Sequence, residues 1–550
     1  MRRRLDILLA APVARAAAMR ADRALADALA IALRARRSRR PPAEVGELVR
    51  DALDAALLPA GRRVAVLGDP GPVTGADITA TQSLERLRPA AVPAAIRRLG
   101  AAADAVLVVA PVWPAARSGS RTLRRASWWT EAAAVAGLEP LVELRRQAAG
   151  RVCLVLRHAV AQPEPLPAAP RSGSREPRLR INDDLSRDTS FAWISASIAL
   201  ALERLGVAVS IAPTELPPSL EPGRRRALGR LIERGAPPRP ASEIGWTHFW
   251  EAYRRPLHGE HPLALYATNV RFARADRGAW DPWMAELVSG SLPLAPISSF
   301  CREVLLEAGV PPDRTDIVPL APTEGLQPDG GGTLRGARTL KVLHVTNASD
   351  PLRHGTDVAL AGFAGAFAPD DDVTLVVRDY WRGDSRLAAE VQALAGRGYD
   401  ARYLPAFYPP DRLGAFLAAF DLLLAPFRGE GFGIKLLDAM ACGVAPLAPR
   451  FGGPADFLDP EASFPLPHGL EPVTAGYDAS ELALGNGPLW ARVAPADVAV
   501  ALRESLADVT ETARRGERAR AVAAGFTWER TAAAIVASVE RRAGQAPARR

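Results

Sequence analysis

Lysine is nearly missing from this chain: Lys341 and Lys435 are its only two, so the basic side of its charge is carried almost entirely by arginine. That is more simply a compositional habit than a nucleic-acid surface, and no aromatics interleave with the basic residues as RNA or DNA binding would want. Cysteine is scarce too. Cys153, Cys301 and Cys442 are odd in number and far apart, which gives no sign of a disulfide framework or a zinc site and fits a reducing compartment. Long apolar runs are lacking as well. The uncharged stretch from Phe191 to Leu202 is too short to span a bilayer.

What is present suits globular cores. The 550 residues are 48% hydrophobic with a mean hydropathy of −0.01, and that length predicts three or four domains. Nearly all of the net charge of +8 sits in residues 1–50, where 12 Arg face 5 acidic residues. Residues 1–60 read as a helical, Arg-rich arm, divided at Ser38–Pro42; peripheral membrane contact through it is left open. The start, Met1-Arg-Arg-Arg with Ile7-Leu-Leu-Ala-Ala behind it, imitates a signal peptide, but Asp6 interrupts it. A cytoplasmic start is expected, at or away from the inner face of a membrane.

The most informative stretch is Arg428-Gly-Glu430-Gly-Phe432-Gly-Ile-Lys435-Leu-Leu-Asp438-Ala-Met440-Ala-Cys442-Gly443. It follows an apolar segment, Asp421–Phe427, that reads as a buried strand. Gly429, Gly431 and Gly433 let a backbone come close to a ligand. Ile434 to Cys442 has helical composition, and Gly443 fits its C-terminus. Strand, glycine loop and helix start together make an anion site, because free backbone N–H groups and the helix dipole both favour phosphate. Glu430 and Asp438 flank it. Carboxylates are poor phosphate ligands but good hydroxyl acceptors, so the pattern points to a sugar nucleotide.

Gly-Glu-Gly-Phe-Gly…Asp-Ala-Met-Ala-Cys-Gly, a Glu-x7-acid motif, resembles the donor-binding signature of GT-B fold retaining glycosyltransferases of the glycosyltransferase 4 (group 1) family. In that family the second acid is usually Glu, one methylene longer than Asp438. Asn347-Ala-Ser-Asp350-Pro-Leu-Arg353-His354-Gly355-Thr-Asp357 resembles the family's Arg-Lys-Gly-x-Asp turn, with His354 where Lys is usual. The resemblance covers about residues 178–540. It implies an α/β protein of GT-B architecture, two Rossmann-like domains, taking a sugar from a nucleotide-sugar donor to a glycan or lipid-linked acceptor with retention. Glu430 would hold the donor sugar and Asp438 the ribose. Arg353 and Arg378, with backbone N–H groups near Gly431, Phe432 and Gly433, would hold the diphosphate, and His354 and Lys435 would also belong to the donor site. No metal cluster is visible, so metal independence and no cofactor beyond the co-substrate are expected.

The remaining chain is read around that centre. Residues 61–162 alternate in α/β fashion, with strands at Arg63–Asp69, Ala105–Ala110 and Arg151–Arg157. They faintly resemble the second half of a class I methyltransferase. Gly68–Gly75 lacks the G-x-G spacing of a nucleotide turn, so a shortened, cofactor-free scaffold is expected. Residues 163–177 are a Pro-, Ala- and Ser-rich linker. Residues 178–325 form the N-terminal (acceptor) domain. There Ser186, Asp188 and Thr189 make the cleft-facing loop, with Ser186 or Asp188 equally able to cap the next helix. His248 is a candidate hydroxyl donor near the transferring sugar, or a histidine paired among Trp246, Phe249 and Trp250. Residues 337–525 form the donor domain, and residues 526–545 a helix returning to the N-terminal domain, started by Thr527. Two rivals stay open: a GT-B-shaped scaffold without catalysis, and S-adenosylmethionine-dependent methyl transfer by residues 61–162.

Overall fold

The computed structural model describes residues 63–67, 77–82, 105–111, 138–146 and 151–158 and, with gaps, residues 179–545. The arginine-rich arm, the linker, Asp188 and His248 lie outside the described residues. The chain divides into two compact units. One is residues 1–159 with 382–386 and 405–407; the other holds the rest.

The first unit is built on one sheet. Its strands are β1 (Arg63–Leu67), β2 (Asp77–Gln82), β3 (Ala105–Pro111), β4 (Leu138–Arg146), β5 (Arg151–His158) and the short Ala406–Phe407. In space they run Ala406–Phe407, β4, β5, β3, β1, β2. β1 lies parallel to β2 and β3, while β5 is antiparallel to both β3 and β4. Sequence reading finds β1, β3 and β5 and misses the other two long strands. Both are weakly marked: β2 is an edge strand with little apolar content, and β4 carries Pro140 at a register shift.

The second unit holds two parallel sheets. In its N-terminal lobe β6 (Leu179–Ile181), β7 (Val209–Ile211), β8 (Ser242–Thr247), β9 (Leu263–Tyr266) and β10 (Leu294–Pro296) stand in the order β10-β9-β8-β6-β7. All four pairings are parallel. In its C-terminal lobe β11 (Leu340–Thr346), β12 (Val373–Asp379), β13 (Asp400–Leu404), β14 (Leu422–Leu424), β15 (Ala445–Pro449) and β16 (Phe464–Leu466) stand in the order β13-β12-β11-β14-β15-β16, again all parallel. Both faces of such a sheet are covered, which is why its strands are short apolar runs rather than alternating ones. Val342, Leu375, Val377, Leu422 and Leu447 from the strands pack with Phe363 and Leu502 in one buried cluster.

The helices that matter to the site are α1 (Ser190–Arg204), α2 (Ser299–Ala308), α3 (Thr356–Ala366), α4 (Ile434–Ala441) and α5 (Trp528–Gln545). The Thr527 hydroxyl accepts from the Arg530 amide at the start of α5. The helix then binds the N-terminal lobe. Trp528 donates to the Pro322 carbonyl at 2.8 Å, Ser538 to Asp316 at 2.7 Å, and Arg204 of α1 to Glu529 at 2.8 Å. A small antiparallel sheet links the lobes a second time: Arg271–Phe272 pairs with Pro488–Arg492, which pairs with Gly469–Pro472.

Candidate functional site

In the six-stranded sheet the strand order reverses between β11 and β14, and the crevice outside their carboxyl ends is where such sheets bind ligands. The loop after β11 passes beneath the loop after β14 at Gly355. Its φ is +70°, and a Cβ there would stand 1.9 Å from the Pro426 carbonyl oxygen, so only glycine permits the crossing. Arg428 fastens the two loops. Its amide donates to the Arg353 carbonyl at 2.7 Å, and its guanidinium takes both oxygens of Asp357 at 2.8 Å.

That crossing brings Arg353, His354, Glu430 and Lys435 together. Lys435 Nζ lies 2.7 Å from Glu430 Oε1, with His354 Nδ1 at 3.4 Å and Arg353 Nη1 at 3.7 Å from the same oxygen. Arg353 is itself oriented by Asp350, at 2.8 Å, and by the Gly429 carbonyl, at 3.0 Å. Burial works to raise the Glu430 carboxyl, but Lys435, His354 and Arg353 outweigh it and hold the carboxyl well below the usual carboxylate range. His354 goes the other way. Burial, then Lys435 on its Nδ1 side and Arg353 on its Nε2 side, keep the imidazole neutral. Beside this uncharged ring Lys435, in the first turn of α4, is the cation nearest the Glu430 carboxylate. No side chain caps α4, whose N-cap is Gly433 at φ +92°.

Sequence reading misses His344, which supports this floor. Its Nδ1 donates to the Leu424 carbonyl of β14 at 2.9 Å, and Nε2 takes the Thr356 hydroxyl of α3 at 3.0 Å. Burial pushes its pKa down to about 4.

Asp438 is buried on α4 in quite different company. Thr323 donates to both of its oxygens, from its amide at 2.6 Å and its hydroxyl at 2.7 Å. Burial raises its pKa to about 6 despite those bonds and the pull of Arg378. Arg378, at the end of β12, is buried, with its guanidinium 5.2 Å from the Tyr408 ring centre and 5.6 Å from that of Phe416. Phe432 is packed with Phe457 and Phe526, at 5.7 and 6.1 Å between ring centres, rather than standing in the crevice.

The glycines have a role beyond ligand approach. A Cβ at Gly429 would meet the Asn269 carbonyl oxygen at 2.3 Å, and one at Gly431 the Thr268 carbonyl at 2.9 Å. Gly431 donates its amide to Asn269 Oδ1 at 3.0 Å and accepts at its carbonyl from the Ser298 hydroxyl at 2.8 Å. The loop therefore presses on the N-terminal lobe. On that lobe the Thr189 hydroxyl accepts from the Ala192 amide and caps α1. The cap expected of Ser186 or Asp188 falls to Thr189, while the Ser186 hydroxyl donates to Asp184 at 2.5 Å. Trp246 is buried edge-on to Phe191 and donates to Ser195 at 2.9 Å. Asn269, Thr323 and His344 carry no local signal, since each has a partner at least 80 positions away. Among the described residues no group of three or more His, Cys, Asp or Glu is arranged to hold a metal ion.

Residues 301–535 match the model of the "Family 4 Glycosyltransferase in conflict systems", a span that includes β11 to β16 and every residue of the cluster around Glu430. This segment is thus similar to family 4 glycosyltransferases. A D-inositol 3-phosphate glycosyltransferase of Nocardia farcinica is 27% identical over 316 residues, 54% of this chain and 64% of that protein. A glycogen synthase of Bordetella bronchiseptica is 30% identical over 180 residues, 32% of each chain. The chain thus spans less than two thirds of the curated relatives it matches. Among solved structures, Anabaena HepE in complex with UDP and glucose is similar with a TM-score of 0.44 at 13% identity, covering 66% of this chain and 99% of that one. Sucrose-phosphate synthase from Thermosynechococcus elongatus has a TM-score of 0.44 at 16% identity, covering 68% and 100%. No described helix is long and apolar enough to cross a membrane.

Proposed function

We propose that this protein is a GT-B glycosyltransferase that moves a sugar from a nucleotide-sugar donor to a glycan or lipid-linked acceptor, with retention at the anomeric carbon and without a metal. The observation that carries this reading is Glu430: a buried carboxylate kept ionised between Lys435 and Arg353, beside the uncapped start of α4. An ionised carboxylate accepts hydrogen bonds from sugar hydroxyls. Lys435, Arg353 and the first-turn amides of α4 stand where a nucleoside diphosphate would gain negative charge as it leaves, and fixed positive charge there lowers the barrier. In the retaining reaction the leaving phosphate guides the acceptor onto the face it vacates. His354, being neutral, adds a ring nitrogen without a further charge.

A second reading, a scaffold without catalysis, is favoured by one contact. Thr323 occupies both oxygens of Asp438, so a ribose would have to displace it before binding there. Methyl transfer by residues 61–162 rests on sequence resemblance alone.

A thermal-shift screen against UDP-, GDP-, ADP- and dTDP-sugars, with S-adenosylmethionine alongside, tests these readings. A ligand that binds only the native state raises Tm once its concentration exceeds Kd. A rise with one nucleotide sugar, lost in Glu430→Gln, is expected. No rise with any of them favours the scaffold, and a rise with S-adenosylmethionine alone moves the activity to residues 61–162.

A further inference from the structure

We propose that Asn269 and Ser298 are positioning residues that orient Glu430 by clamping the Gly431 peptide from the opposite lobe; the catalytic consequence rests on the function proposed above. Both hydrogen-bonding groups of Gly431 are taken by side chains of the opposite lobe, the amide by Asn269 Oδ1 and the carbonyl by Ser298 Oγ, with the Cys301 thiol donating to the same carbonyl at 3.4 Å. The carbonyl of Glu430 itself is held by the Gly453 amide at 2.9 Å. The backbone on both sides of the Glu430 side chain is therefore fixed, and three of these four tethers come from side chains of the N-terminal lobe.

The tethers are themselves anchored. Ser298 also accepts from the Cys301 amide at 3.1 Å as the cap of α2, which ties it to that helix. Asn269 lies between the end of β9 and Arg271–Phe272, the strand that pairs with Pro488–Arg492. Within that partner strand the Ala491 amide donates to the Arg428 carbonyl at 2.8 Å, just ahead of Glu430. The absence of side chains at Gly429 and Gly431 allows the close approach, and it leaves the loop no room to shift toward the N-terminal lobe. The carboxylate then meets Lys435 and Arg353 in a geometry that depends on the lobe that does not carry it. A loss of the Asn269 contact releases the Gly431 amide and lets the carboxylate wander from its cations.

Ser298 is a poor first test, because its removal also strips the cap of α2. Asn269→Leu removes the acceptor oxygen at similar volume, whereas Asn269→Asp keeps an oxygen in that place. Two measurements on the full chain decide. In hydrogen exchange of the segment 428–436, Asn269→Leu is expected to speed exchange at least tenfold while Asn269→Asp stays close to wild type. In UDP-glucose turnover, followed as UDP release, Asn269→Leu is expected to lower kcat at least tenfold with KM changed less than threefold, and Asn269→Asp to recover most of it. Unchanged exchange in Asn269→Leu overturns the clamp, and so does equal loss in both variants. Unchanged kcat with faster exchange overturns the positioning role. A wild type that releases no UDP counts against the proposed donor, and the exchange result then decides the clamp by itself.

Discussion

Glu430 and Asp438 stand close together in the chain, on one loop and the helix that follows it. Both are buried, yet their surroundings push them in opposite directions. Glu430 is ringed by Lys435, Arg353 and His354 and stays ionised well below the usual carboxylate range. Asp438 is met by the amide and hydroxyl of Thr323, with Arg378 further off, and burial raises it to about 6. Burial favours the neutral acid in both cases; what differs is whether full positive charges stand close enough to win. In the proposed reaction the first acid supplies a fixed negative charge. The other is tied to Thr323, at the end of the N-terminal lobe.

The sharpest way to break the contrast is at Glu430. Glu430→Gln keeps the shape and removes the charge, which leaves Lys435 buried beside a neutral amide. Turnover is expected to fall by about 10²- to 10³-fold, the scale of losing one well-aimed electrostatic group. Kinetics of nucleoside diphosphate release would show it, and a variant retaining more than a tenth of wild-type turnover would remove Glu430 from the mechanism.

Acid titration separates the two regions next. His344, at about 4 against 6.5 unfolded, contributes stability that is complete above 6.5 and is lost as pH falls toward 4. Buried His354 acts in the same sense. Asp438, at about 6 against 3.8, does the reverse: its contribution is complete below 3.8 and is lost as pH rises through 6. His344 and Asp438 each account for roughly 3 kcal/mol across their windows, since each pH unit between the folded and unfolded pKa is worth about 1.4 kcal/mol. The two histidines outweigh the one acid, so wild-type stability is expected to fall between pH 6.5 and 4. Urea unfolding should show a steeper fall in Asp438→Asn, which removes the opposing contribution, and a shallower one in His344→Gln. Parallel slopes in all three proteins would contradict these environments.

How far the sequence exposes this site follows from the same division. The glycine loop, the helix after it, and Arg353-His354-Gly355 are contiguous patterns, so their place at the switch point is readable. Strands β11, β12, β14 and β15 are legible for a related reason, since a parallel sheet covered on both faces writes itself as apolar runs. The partners that set each charge are not contiguous. Thr323 reaches Asp438 across 115 positions and Asn269 reaches Gly431 across 162. Threonine and asparagine in loops look alike whether they face solvent or a buried group. Even the glycines are only half readable: their lack of side chains is plain, but the nearby backbone that requires it belongs to Thr268 and Asn269.

Thr323 offers the smallest and most discriminating change. Thr323→Val removes the hydroxyl at nearly constant volume and leaves the amide on Asp438. One buried hydrogen bond to a carboxylate is lost, so stability at pH 7 is expected to drop by about 1 to 2 kcal/mol. The freed oxygen is then open to a ribose hydroxyl. If Asp438 serves the nucleotide, the variant should bind UDP several-fold more tightly despite being less stable, because the nucleotide no longer has to displace the Thr323 hydroxyl. Calorimetry on the two proteins reads both quantities. Tighter binding with lower stability would mean that Thr323 competes for the ribose site, while unchanged or weaker binding would make Asp438 a fastening of the two lobes and leave Glu430 as the acid of the pair that meets the donor.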